Sequence, residues 1–171
     1  MEHDSDLTKH SVLRLTLDTN LLLEYWKKQD RASTIEKLLS LATTGSVDLA
    51  VTARIREDIP LSPLANRLNE LGTLNVSEAP SMTRHNFWVW DRDVWGDEEF
   101  IAFSSTIDGK LQARGARVPD WRDWDHVHAH YVLKRDIFLT WDRPLLSIRN
   151  DLQDRFGIVI MTPETYLANR A

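Results

Sequence analysis

Four carboxylates carry the chemistry that this sequence could perform: Asp18, Glu57, Asp123 and Asp142. Asp18 closes a strand-like run in which Leu13, Leu15 and Leu17 alternate with polar residues, the period of two of a β-strand. Asp142 stands just past a second strand signal, Ile137–Thr140. Glu57 follows a short apolar run, Val47–Val51, at the start of a helical segment, and Asp123 stands where another helix begins. In an open α/β sheet, ligands bind beyond the carboxyl ends of the strands. Asp18 and Asp142 are therefore expected on one rim, with Glu57 and Asp123 on helices that leave or approach it. Converging carboxylates raise one another's pKa unless a cation neutralises them. Oxygen ligands of this kind suit Mg²⁺ or Mn²⁺. Such an ion can orient and acidify a water and stabilise a phosphoryl group in transfer.

Each acid also has a plainer reading. Asp18 could be a turn or cap residue, Glu57 a solvated helix carboxylate, and Asp142 the start of the helix that Pro144 enters. Asp123 could be an N-cap, with Asp120 and Asp125 competing for any role given to it. Their shared placement at one sheet edge raises them above these readings. His126, His128 and His130 recur at every second position of a predicted helix, a spacing that spreads them around it. His126 and His130 share a face and could bind zinc, but the glutamate and third ligand of a zinc-protease motif are missing.

The elements that must position these residues follow from periodicity and punctuation. Helices are expected from about Leu21 to Lys28, and from Ser33, which with Glu36 fits a capping box, to a stop at Gly45. Thr52 is expected to cap a segment over Ala53–Asp58 that Pro60 interrupts, and helix should resume over 61–71 until Gly72. Leu74–Val76 reads as a weak strand, and Glu78–Trp95 as loop with at most a short helix. Helices then follow over Glu98–Arg114, closed by Gly115, and over about 123–135. After the Ile137–Thr140 strand, one helix should run from Pro144 to about Phe156, with Gly157 as its stop. Ile158–Met161 is a last strand, and Thr162-Pro163-Glu164 caps a final helix. Strands alternating with helices predict an α/β fold, a three-layer α/β/α sandwich with a mostly parallel central sheet.

Composition sets the bounds. The 171 residues suit one domain, with residues 1–11 a frayed lead-in and the core at about 13–167. The chain is 42% hydrophobic and 27% charged, ordinary for a soluble globular protein. Absence of cysteine excludes disulfides and thiolate metal sites. No apolar run could span a membrane and no signal-peptide pattern is present, so no membrane partner and a cytoplasmic location are expected. The net charge of −5 is not the footprint of a protein that holds nucleic acid by bulk electrostatics, yet an acidic metal site lowers net charge until its cations bind. Of seven tryptophans, five fall in two clusters, Trp88, Trp90 and Trp95, and Trp121 and Trp124, which read as packing before they read as base-stacking platforms.

Taken together, these residues resemble a PIN domain, a family of metal-dependent ribonucleases. Leu17-Asp18-Thr19-Asn20 followed by Leu21-Leu22-Leu23 is similar to the family's opening strand and its Asp-Thr-Asn signature. Thr52 with Glu57 resembles the second motif. Asp123, His126 and Val127, then Asp136–Thr140 and Asp142, resemble the subgroup in which an Asp-x-x-His-aliphatic helix leads to a Phe-aliphatic-Thr-x-Asp strand. Ile158–Met161 with Thr162-Pro163-Glu164 and Leu167 resembles the family's last strand and helix. The resemblance spans about 13 to 167 and is thinnest over 60–118.

What the resemblance implies is an endoribonuclease with Asp18, Glu57, Asp123 and Asp142 as its acidic site. Asp18, Asp123 and Asp142 would be metal ligands, and Asp125 is a substitute for Asp123. Thr140 would support the site through its hydroxyl, and Asn20 would shape the first turn. The cofactor would be Mg²⁺ or Mn²⁺ and the substrate RNA, with Arg54, Arg56 and Arg143 near enough in sequence to hold phosphates. Many members are VapC-type toxins, which implies a cognate antitoxin and a homodimer as partners; a processing or decay nuclease is the near alternative. A non-catalytic PIN-like module that binds RNA or protein is the reading from another class. A haloacid-dehalogenase phosphatase would want an aspartate where Asn20 stands, and a receiver domain a later lysine that is missing.

Overall fold

The structure, a computed structural model, describes residues 12–58, 65–71, 74–77, 81–83, 93–95, 98–113, 115 and 121–170. The lead-in before Val12, the break at Pro60, Leu64, Gly72, Arg114, Asp120 and the tryptophans Trp88 and Trp90 lie outside them, as do the side chains of Arg56, Glu57, Trp95, Trp121 and Asp123.

In chain order the strands are β1 (Leu13–Leu17), β2 (Val47–Thr52), β3 (Asn75–Ser77), β4 (Ser81–Thr83), β5 (Asp93–Trp95), β6 (Ile137–Leu139) and β7 (Val159–Met161). The helices are α1 (Thr19–Trp26), α2 (Ala32–Thr43), α3 (Ile55–Asp58), α4 (Ala65–Glu70), α5 (Glu98–Ala113), α6 (Trp121–Val132), α7 (Arg143–Ser147), α8 (Arg149–Phe156) and α9 (Pro163–Arg170). Five strands form one parallel sheet in the order β3-β2-β1-β6-β7. The chain therefore steps outward from β1 through β2 to β3, then returns to the other side of β1 for β6 and β7. The strand order reverses between β1 and β6, the place where open α/β sheets bind ligands.

Alternation along the strands sorts the core into two layers, as a sheet covered on both faces requires. Leu15, Leu17, Leu49, Val51 and Leu139 face one way and pack with Leu21, Leu22 and Trp26 of α1, Ile35 and Leu38 of α2, Ile55 of α3 and Tyr166 of α9. Phe138 and Ile160 face the other way and pack with Phe103, Ile107 and Leu111 of α5, Trp124 and Val127 of α6, Leu145 of α7 and Leu152 of α8. The architecture is a three-layer α/β/α sandwich, as the sequence predicts. No helix among the described residues is long and apolar enough to cross a membrane.

Local chemistry explains most boundaries. Gly45, Gly115 and Gly157 sit at φ +70°, +64° and +69°, the left-handed geometry that ends a helix at little cost. Thr162 Oγ1 accepts from the Thr165 backbone N–H at 3.1 Å, the expected cap of α9. Four expectations are corrected. The Ser33–Glu36 capping box does not form, because α2 begins at Ala32 with Arg31 at its N-cap and no side-chain cap bond. Thr52 caps nothing here: it ends β2, and its hydroxyl meets His126. The Glu78–Trp95 segment contains the strands β4 and β5, paired in parallel through Met82 and Val94. The Pro144 helix is two, α7 and α8, broken at Ile148, whose backbone (φ −109°, ψ 10°) leaves the helical region.

Candidate active site at the strand-order reversal

β1 and β6 end side by side, with Leu17 opposite Leu139. One residue further on, the Asp18 backbone N–H donates to the Leu139 carbonyl at 3.0 Å, which holds Asp18 level with Thr140. Both side-chain bonds to Asp18 converge on Oδ2: the Thr140 hydroxyl donates at 2.6 Å and the Asn20 amide at 2.8 Å. The short Thr140 bond is of the charge-assisted kind. Thr140 Oγ1 in turn accepts the Asp142 backbone N–H at 2.9 Å, so one hydroxyl ties both predicted strand-end aspartates. Among the described residues Asp18 Oδ1 takes no hydrogen bond, and the neighbouring Asn20 Oδ1 is buried without a partner.

Burial pushes the Asp18 carboxyl above its ordinary range. The charges of Asp142 and Asp58 push the same way, while His126 and the Thr140 hydroxyl pull it back. Burial is the largest of these effects, so the fold holds the ionised carboxylate at a cost.

The predicted residues fare differently. Asp18, Asn20, Thr140 and Asp142 come together. Asp142 also serves as the N-cap of α7, with Oδ1 accepting the Leu145 N–H at 2.7 Å, which is its plainer reading. The backbone of Glu57 lies in α3 and that of Asp123 in the first turn of α6. Asp125 Oδ2 lies 3.4 Å from Arg54 Nε in an ion pair, with both side chains largely buried, whereas Arg143 is exposed. Among the described residues, no three His, Asp or Glu side chains are grouped closely enough to hold a metal ion.

The three histidines of α6 meet different partners. His126 sits between Thr52 at Nδ1 and Asp58 at Nε2, the latter at 2.8 Å. His130 Nδ1 meets Thr16 Oγ1 at 2.8 Å. His128 packs against Phe103 and Tyr131. Sequence reasoning missed Asp58, which accepts from Thr19 at 2.7 Å and from His126. Its signal was the acidic pair Glu57-Asp58 directly after β2.

The donor set fits a hard cation: carboxylate oxygens with raised proton affinity and a buried, unpartnered amide oxygen, all oxygen ligands. A scan against models of known protein families finds no match, and a search of curated proteins finds no similar protein.

Proposed function

We propose that this chain is a PIN-like, metal-dependent endoribonuclease that acts as one domain in the cytoplasm. The observation that carries the reading is Asp18: a carboxylate at the strand-order reversal, held by Thr140 and Asn20, whose ionised form burial disfavours. Asp18, Asp123 and Asp142 would hold Mg²⁺ or Mn²⁺, with Glu57 holding the ion or the attacking water. When bound, the ion supplies an acidified water and charge stabilisation at the phosphate. The protein's own part is positional. Thr140 and Asn20 fix Asp18 Oδ2 and leave Oδ1 to face a ligand. The Leu145 N–H fixes Asp142 in the same way. The RNA-cleaving toxin of a toxin–antitoxin pair, working as a homodimer and restrained by an antitoxin, is the specific form that the resemblance favours.

A second reading has its own support. Asp142 is partly spent on a helix cap, as suits a non-catalytic PIN-like module that binds RNA or protein. One experiment separates the two: cleavage of a varied RNA pool across a Mg²⁺ and Mn²⁺ titration, with wild type beside Asp18→Asn. Metal-dependent cleavage lost in the folded variant supports the nuclease. An uncut pool with retained RNA binding supports the module. Equal cleavage by both proteins removes Asp18 from the centre of the site.

A further inference from the structure

Four elements meet at the His126 ring. The ring comes from α6 and is 4% exposed. Thr52, the last residue of β2, bonds its Nδ1. Asp58, the last residue of α3, takes its Nε2 at 2.8 Å. Thr19, in the first turn of α1, donates to the same Asp58 oxygen at 2.7 Å and lies 3.4 Å from Nε2. With Asp58 ionised, Nε2 carries a proton and donates it to the Asp58 carboxylate.

The helix that benefits is α3, only four residues long. A helix of one turn has no stability of its own, so tertiary contacts must place it. Ile55 anchors its first residue in the core, and Asp58 anchors its last through Thr19 and His126. The Glu57 backbone lies between these anchors. On the other side of the bond, Asp123 precedes His126 by three residues on α6, less than one turn away.

We propose that His126 and Asp58 form a latch that positions the two acid-bearing helices, α3 and α6, against the carboxyl edge of the sheet. The inference rests on the metal-nuclease reading, and His126 and Asp58 are positioning residues within it. Partners that orient metal ligands commonly carry a large share of metal affinity.

The test is Mn²⁺ affinity, read as free Mn²⁺ by electron paramagnetic resonance, with thermal unfolding alongside. Wild type is compared with His126→Ala, His126→Gln, Asp58→Asn and His128→Leu. His128 is buried on the same helix but packs against Phe103 and Tyr131, so it reports general loosening of α6. Expected are a loss of about 10–100-fold in Mn²⁺ affinity for His126→Ala and a smaller loss for Asp58→Asn. His126→Gln, which can still donate to Asp58, should recover most of it, and His128→Leu should keep wild-type affinity. If His126→Ala proves unfolded, the Asp58→Asn result decides. Wild-type affinity in the folded latch variants overturns the latch and leaves the nuclease reading standing, as does an equal loss in His128→Leu. A wild type that binds no Mn²⁺ overturns the nuclease reading and the latch with it.

Discussion

Acid should destabilise this protein through the buried His130. His130 is 1% exposed, with its ring edge-on to Phe138 and its Nδ1 on Thr16. Burial, and then the charges of Arg135 and Arg14, push its pKa from 6.5 down to about 3. Lys134 and Asp136 lie beside it in the turn into β6, and Asp48 pairs with both arginines. The folded state therefore refuses a proton that the unfolded chain accepts. Stability from this group is intact above the unfolded pKa of 6.5 and is lost as pH falls from there toward 3. Integrating the linkage from pH 7 to pH 5 gives a loss of about 2 kcal/mol. For a chain of this size that corresponds to a fall in Tm of roughly 4–8 °C. The assay is urea unfolding at pH 7 and pH 5 for wild type and for His130→Asn, whose amide can still reach Thr16. The variant starts less stable, because a smaller side chain leaves space beside Phe138. What matters is the change with pH, since every other group is common to both proteins and cancels. If His130→Asn loses as much stability as wild type between the two pH values, His130 is not the acid-sensitive group and the argument fails.

Further outcomes follow from the same contacts. Asp18→Asn should raise Tm without metal, because it removes a charge that burial disfavours; added Mn²⁺ should stabilise wild type and leave the variant unchanged in the same thermal scan. Asp142→Ala should cost about 1 kcal/mol in chemical unfolding by removing the cap of α7, and Asp142→Ser should restore most of it, while RNA cleavage is lost in both. Arg135→Met breaks bonds to the Asp48 carboxylate and to the Leu15 and Asp48 carbonyls, at a cost of about 3 kcal/mol. The same variant should flatten the acid response, because Arg135 is the larger of the two charges that depress His130.

The sequence made the strand-end chemistry legible because it is local. Asp18 and Thr140 each follow an apolar run, and a parallel sheet sends all such ends to one edge. Glycine stops and the Thr162 cap are equally local, since they depend on φ and on one hydroxyl. What escaped was long-range. His126 meets Thr52 and Asp58, which lie 74 and 68 residues before it, and no spacing rule links them. A partial signal existed. Strands covered on both faces run nearly continuously apolar, so Thr16 in central β1 demanded a polar partner from the covering helix. The i, i+4 pair His126 and His130 on α6 supplies such partners to Thr52 and Thr16. The strands β4 and β5, three residues each, were too short to display a period.

The acids of this fold divide by what their charge does. Asp48 is drawn below its ordinary range: burial pushes it up, but hydrogen bonds from Arg135 and Asn75 and the charges of Arg135 and Arg14 outweigh that. Asp125 faces Arg54, and Asp142 caps a helix whose dipole favours a negative charge. In each of these places the ionised form does something for the folded state. At Asp18 the ionised form has the Thr140 hydroxyl and the His126 ring in its favour, but burial outweighs them. An asparagine oxygen could accept from Thr140 and Asn20 with the same geometry, and it would avoid the desolvation and the repulsion from Asp142 and Asp58. A charge that the fold can hold only at a cost, at the strand-order reversal where open α/β sheets bind ligands, is what the proposed metal site would require.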